Sequence, residues 1–91
     1  MIDNRELYVK ALNTYGFPAQ AMMMIEECSE LVNALCKYDR GRITEEDIIT
    51  EIADVMIMCE QMAVNFGENK VLAEKSKKQE RLKERLSKHN N

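Results

Sequence analysis

Five carboxylates at helical spacing are the residues of this sequence best suited to chemistry. Glu26, Glu27 and Glu30 lie close together, and Glu51 and Asp54 follow after an interval of twenty residues. Residues three positions apart share one face of a helix. The spacing therefore predicts two acidic pairs, Glu27 with Glu30 and Glu51 with Asp54.

Helical projection at about 100° per residue indicates which of these acids face an apolar surface. Glu27 projects into the apolar arc of its helix, with Glu30 on the edge of that arc and Glu26 nearer the rim. Glu51 projects into the apolar stripe of the second helix. The apolar neighbours are Leu31 and Ala34 beside Glu27, and Val55, Met58 and Met62 beside Glu51. Both pairs are therefore expected to point partly inward.

Sheltered like charges are unfavourable, and a lone buried carboxylate tends to take up a proton. A hard divalent cation removes this difficulty, since Mg²⁺ prefers oxygen ligands and keeps waters that substrate phosphates can replace. Antiparallel helices can bring two acidic pairs to one point inside a bundle. With no His or Cys among these residues, the donor set favours Mg²⁺, or Mn²⁺ in its place, over zinc.

Four helices are expected to position these acids. Ala, Leu, Met, Glu, Lys and Gln dominate, Pro occurs once and Gly three times, and no strand-type alternation is present. The predicted first helix is capped by Asp3, with Glu6 as its reciprocal partner, and ends at Tyr15 before Gly16. The second begins at Pro18 and ends near Tyr38.

A turn at 39–42 leads to the third helix, which Thr44 caps and which ends at Phe66 before Gly67. Asn69 is the expected cap of a fourth, charged helix that continues to the C-terminus. The 91 residues, 45% of them hydrophobic, are expected to form a single all-α domain over 1–91.

The third helix is apolar almost all the way round, which predicts a four-helix bundle completed by homo-oligomerisation. Met22, Met23 and Met24 are expected to pack in the core. The cysteines Cys28, Cys36 and Cys59 have no CxxC spacing, so buried, reduced thiols are expected.

Charge and hydropathy exclude several classes of protein. Residues 1–67 carry a net charge of −7 and residues 68–91 a net charge of +4, a distribution that does not fit a duplex-nucleic-acid binder. No apolar run is long enough to span a bilayer and the N-terminus does not resemble a signal peptide, so a cytosolic protein is expected.

The sequence from Glu26 to Glu30, followed twenty residues later by Glu51 to Asp54, resembles the EExxE…ExxD signature of MazG-like all-α nucleoside triphosphate pyrophosphohydrolases. Val55 and the Gly16–Gln20 segment also resemble small single-domain members of this family. The resemblance covers roughly residues 15–86.

The resemblance implies a dimer or tetramer that uses Mg²⁺ to hydrolyse (deoxy)nucleoside triphosphates to monophosphate and pyrophosphate. It implies that Glu27, Glu30, Glu51 and Asp54 are metal ligands. Glu26 matches the first acid of the motif and is expected to act in catalysis, either through a bound water or behind the ligands. Glu30 or Glu26 is expected to accept the proton from the attacking water.

Basic residues on the fourth helix are candidates for binding the triphosphate, since Lys75, Lys78 and Arg81 recur every three residues. The alternative is that these residues lie on a solvent-exposed helix face and form ion pairs with nearby glutamates, which explains the same spacing. Arg40 and Arg42 in the turn are weaker candidates. Gln20 is a candidate for hydrogen bonding to a nucleobase, with a surface or capping role as its alternative.

Two other functions are compatible with the sequence. Phosphoribosyl-ATP pyrophosphatase has a related fold and comparable paired acids, although the Gly16–Gln20 segment and the 39–42 turn look less like that enzyme. A non-catalytic helical oligomerisation or regulatory module would need no metal at all, and its acids would tolerate replacement.

Overall fold

The computed structural model describes residues 2–89, which form four helices and no strand. The helices are α1 (Arg5–Tyr15), α2 (Phe17–Asp39), α3 (Glu45–Phe66) and α4 (Glu68–His89). The all-α prediction is therefore confirmed. None of these helices combines the length and apolar character that a membrane span requires.

Two of the three connections consist of a single glycine. Gly16 (φ +86°) joins α1 to α2, and Gly67 (φ +117°) joins α3 to α4. A side chain is unfavourable at these φ values, and glycine adopts them without strain. The third connection is held by the Arg42 N–H, which donates to the Lys37 carbonyl at 2.9 Å. All three breaks thus lie within a residue or two of their predicted positions.

The predicted caps of α1 and α4 are wrong. The residue before α1 is Asn4 in the left-handed region (φ +62°), and no side chain caps that end, so the Asp3–Glu6 capping box does not form. Asn tolerates this conformation better than most residues do. Asn69 lies inside α4, because Gly67 ends α3 and the next helix starts at once with Glu68.

The predicted cap of α3 is confirmed. The Thr44 hydroxyl accepts from the Asp47 N–H at 3.4 Å, and the Asp47 carboxylate accepts from the Thr44 N–H at 3.1 Å. This reciprocal arrangement satisfies two amide donors that the helix itself leaves free. It fixes where α3 begins, and thereby where Glu51 and Asp54 lie along it.

Replacing Thr44 with Ala is expected to lower the free energy of unfolding by about 1 kcal/mol, because it removes the hydroxyl that accepts from the Asp47 N–H and donates to the Asp47 carboxylate. Urea denaturation followed by circular dichroism measures the change. Thr50→Ala is the matched control, since the Thr50 hydroxyl only donates to the Glu46 carbonyl within the same helix. Equal losses in the two variants would contradict the assignment of Thr44 as the cap.

Helices α2 and α3 form an antiparallel pair at the centre of the fold, and α1 packs against both. At one end of the pair, Phe17 and Phe66 meet edge to face with ring centroids 5.4 Å apart. The buried Tyr8 of α1 donates its hydroxyl to the Glu60 carboxylate of α3 at 2.7 Å. This bond to a carboxylate, together with burial, raises the pKa of Tyr8 to about 12.

The fourth helix stands away from α2. Within residues 2–89, no Cα of α4 comes within 8 Å of a Cα of α2, and the α4 backbone closely approaches only that of α3 among the other helices. Its first residue, Glu68, accepts hydrogen bonds from the Ile2 N–H at 2.9 Å and from Arg5 at 3.0 Å. These bonds lower the pKa of Glu68. The radius of gyration is 16.1 Å, against about 12 Å for a compact domain of this length.

The single chain leaves much of its apolar surface uncovered. Ile49 and Met56 of α3 are 64% and 58% exposed. The expectation that the methionine run packs in the core is wrong within one chain, because Met22 and Met23 are exposed and Met24 only partly buried. The cysteines are free, as expected, but Cys36 and Cys59 are exposed and not buried. The core of the single chain is too small to cover these helices.

Candidate metal centre

Three of the predicted acids come together between α2 and α3. One carboxylate oxygen from each of Glu27, Glu51 and Asp54 lies within 4.8 Å of the other two, and all three residues are partly buried. The antiparallel packing explains this meeting, since the middle of α2 lies beside the middle of α3. We call these three residues the acidic cluster.

Two oxygens of the cluster have no hydrogen-bond partner. Glu27 Oε2 and Glu51 Oε2 are both buried and unsatisfied among the described residues. Burial is the main cause that raises the pKa of each carboxyl, and the charges of neighbouring acids, Glu30 and Asp54 among them, raise it further. Two sheltered acids thus face one another, and their unpartnered oxygens and mutual repulsion are unfavourable unless a proton or a cation compensates them.

Glu30 lies at the edge of the cluster. Its side chain is exposed, but its charge raises the pKa of both Glu27 and Glu51, which indicates that it lies close to the two. Glu26 is exposed and belongs neither to the cluster nor to the cleft next to it. The arrangement matches the helical projection, with Glu27 directed inward, Glu30 on the edge and Glu26 at the rim.

A cleft of about 310 Å³ opens beside the cluster, between the last turns of α2 and the first turns of α3. Glu51 belongs to both the cluster and the cleft, so the two are continuous. Glu30, Asn33, Lys37 and Asp47 provide the other polar groups of its lining. We call this space the lysine cleft.

The sequence analysis did not single out Lys37. It is the only basic residue in either α2 or α3 and lies seven positions after Glu30, which places it on the same face of the helix. A single basic residue on the same helix face as Glu30 could have identified Lys37 from the sequence. Lys37 is exposed and forms no ion pair with any residue between 2 and 89.

The cations predicted to bind the triphosphate lie elsewhere. Lys75, Lys78 and Arg81 are exposed on α4, the helix that stands apart from α2. The alternative, pairing with nearby glutamates, does not form for them within residues 68–89, where Glu74 pairs with Lys77 at 3.3 Å and Glu80 with Lys83 at 3.5 Å. One chain therefore does not bring these three cations between α2 and α3.

The other candidates occupy opposite ends of the α2–α3 pair. Arg40 and Arg42 are exposed in the turn next to the lysine cleft. Gln20 is only 6% exposed, so a surface role for it is wrong. No side-chain bond caps α2, so a capping role for Gln20 is also wrong. Gln20 lies near the end of the α2–α3 pair where Phe17 and Phe66 meet. Gln61 of α3 is equally buried there, and its Oε1 atom has no hydrogen-bond partner among the described residues.

No protein-family model, curated protein or solved structure matches this chain.

Proposed function

We propose that this chain is a Mg²⁺-dependent hydrolase that converts (deoxy)nucleoside triphosphates to monophosphate and pyrophosphate, and that it belongs with the MazG-like enzymes. The observation that carries the proposal is the acidic cluster with its two buried, unpartnered oxygens, Glu27 Oε2 and Glu51 Oε2. Both oxygens belong to the acids that the EExxE…ExxD resemblance selects as ligands.

The cluster suits a small, hard cation. Its donors are all carboxylate oxygens, the class that Mg²⁺ and Mn²⁺ prefer. The cluster oxygens lie within 4.8 Å of one another, so one ion would contact an oxygen of each residue once the side chains close around it. Glu30, at the edge of the cluster, is the proposed fourth ligand.

When bound, Mg²⁺ offsets negative charge on the phosphate oxygens and makes an attacking water easier to deprotonate. Glu27, Glu51 and Asp54 would hold the ion from one side and leave the lysine cleft free for the phosphates. Glu30, exposed at the edge of the cluster, is the proposed acceptor of the proton of the water. Glu26 is the alternative acceptor, and its exposed position at the rim makes it the less direct one.

The active form is proposed to be a homo-oligomer. The accessible surface of the chain is 7219 Å², whereas a folded monomer of 10.6 kDa exposes about 5,500 Å². The excess of about 1,700 Å² is larger than the roughly 800 Å² that each partner contributes to a standard interface. Much of the surface is apolar, as on α3, and a second copy would cover it.

Oligomerisation also offers a role for the cations of α4. Lys75, Lys78 and Arg81 lie on a helix that leaves its own α2 uncovered, so we assign them to contacts with a neighbouring subunit or with the substrate bound there. Light scattering after gel filtration is expected to give a dimer or tetramer at micromolar concentration. A monomer at that concentration would contradict this part of the proposal.

The function is tested by incubating the purified protein with Mg²⁺ and a panel of standard, deoxy and damaged nucleoside triphosphates, with pyrophosphate as the readout. Phosphoribosyl-ATP is included in the panel. Turnover of that compound alone would identify a phosphoribosyl-ATP pyrophosphatase instead. An absence of turnover on the whole panel, with no effect of Mg²⁺ on thermal stability, would favour a non-catalytic helical module.

Cytosolic location remains a sequence-based prediction.

A further inference from the structure

We propose that the lysine cleft binds the pyrophosphate portion of the substrate, and that Lys37 is the residue that recognises it. This inference rests on the proposed function and specifies which part of the substrate lies where. Within one subunit, the phosphate contact is thus assigned to Lys37 of α2 and not to the cations of α4.

Among residues 2–89, the groove between α2 and α3 differs on the two sides of the acidic cluster. Towards the start of α2, the Phe17 and Phe66 rings are in contact and Gln20 and Gln61 are both 6% exposed. Tyr8 of α1 is buried there as well. Towards the end of α2 lies the open cleft of about 310 Å³. A phosphate chain held at the cluster therefore extends towards Lys37.

The charges around the cleft also favour Lys37 as the residue that contacts the phosphates. A nucleoside triphosphate carries up to four negative charges, and the lining of the cleft adds Glu30, Asp47 and Glu51. One Mg²⁺ does not offset this repulsion, so a protein cation is needed close to the terminal phosphates. Lys37 is the only cation of either helix, lines the cleft and has no carboxylate partner within residues 2–89.

The size of the cleft limits what it holds. A volume of about 310 Å³ is at the lower end of the range for small-molecule sites. This suits a pyrophosphate group with some water better than a complete nucleotide. Lysine binds phosphate as a compact point charge with three donors, and its flexible side chain can follow the leaving group. The nucleoside would then lie outside the cleft.

The test measures binding of inorganic pyrophosphate by calorimetry in the presence of Mg²⁺, together with KM and kcat on the preferred nucleotide. Lys37→Ala is expected to weaken pyrophosphate binding about tenfold or more and to raise KM similarly, since a charge-assisted bond is lost. Lys37→Arg is expected to retain most of the affinity. Lys10→Ala, which removes one exposed lysine from α1, is the control and is expected to bind as the wild type does.

The outcomes separate this inference from the proposed function. A Lys37→Ala variant that binds pyrophosphate and turns over substrate like an active wild type would overturn the role of Lys37 and leave the hydrolase proposal intact. A variant with a lower melting temperature but unchanged affinity would show a purely structural role at the end of α2. A wild-type protein that turns over nucleotides but binds no pyrophosphate with Mg²⁺ would overturn the assignment of the cleft alone, and one that does neither would overturn both proposals.

Discussion

Replacing Glu51 with Gln is expected to lower the rate of pyrophosphate release by at least about 100-fold, because it removes a charged oxygen from the proposed metal ligands. Glu51 contacts both halves of the site, since it belongs to the acidic cluster and lines the lysine cleft. The change keeps the shape of the side chain and removes a raised-pKa acid from a partly buried position. The oligomer is therefore expected to remain folded.

Steady-state kinetics at saturating Mg²⁺ measures the effect, and circular dichroism and light scattering verify the fold. Glu46→Gln is the matched control, because it removes the same charge from an exposed position on the same helix. Its rate is expected to stay within about twofold of the wild type. A Glu51→Gln protein with wild-type turnover would remove the basis for the metal centre.

The stability of the metal-free protein is expected to fall as the pH rises from about 4.5 towards neutrality. The carboxyls of Glu27 and Glu51 have pKa values raised above their ordinary 4.5, mainly by burial. The folded chain therefore binds protons more tightly than the unfolded chain does. The resulting stabilisation is fully present below pH 4.5 and is lost as the pH rises through the raised pKa values.

Thermal melts in EDTA between pH 4.5 and 7.5 measure this loss, with the Glu27→Gln/Glu51→Gln double variant as reference. Glu68 acts in the opposite sense, because its lowered pKa stabilises the fold at higher pH, and the double variant retains that contribution. The difference in Tm, double variant minus wild type, is expected to grow as the pH rises. A difference that is independent of pH would contradict the sheltering of these two acids.

At pH 7.5, Mg²⁺ is expected to restore the lost thermal stability in the wild type but not in the double variant. At ten times its Kd, an ion that binds the folded state adds about 1.4 kcal/mol and raises Tm by about 5–10 °C for a domain of this size. The double variant lacks two of the proposed ligands and is expected to show little change. An equal rise in both proteins would indicate that Mg²⁺ binds elsewhere.

The four helices and the faces on which the acids lie can be predicted from the sequence. Helical spacing is a local property, so the positions of Glu27, Glu30, Glu51 and Asp54 around their helices follow from residue number alone. The same holds for the glycine breaks and for the Thr44 cap, whose partner is three residues away. The apolar surface of α3 also indicated that one copy of the chain cannot cover it.

Which acids meet, and which cations lie near them, depends on how the helices pack in the tertiary structure. The register between α2 and α3 brings Glu27, Glu51 and Asp54 together, leaves Glu30 at the edge, and opens a cleft that contains Lys37. The direction of α4 separates Lys75, Lys78 and Arg81 from α2. Spacing along a helix does not specify these relations, because they depend on how side chains from distant segments pack against one another.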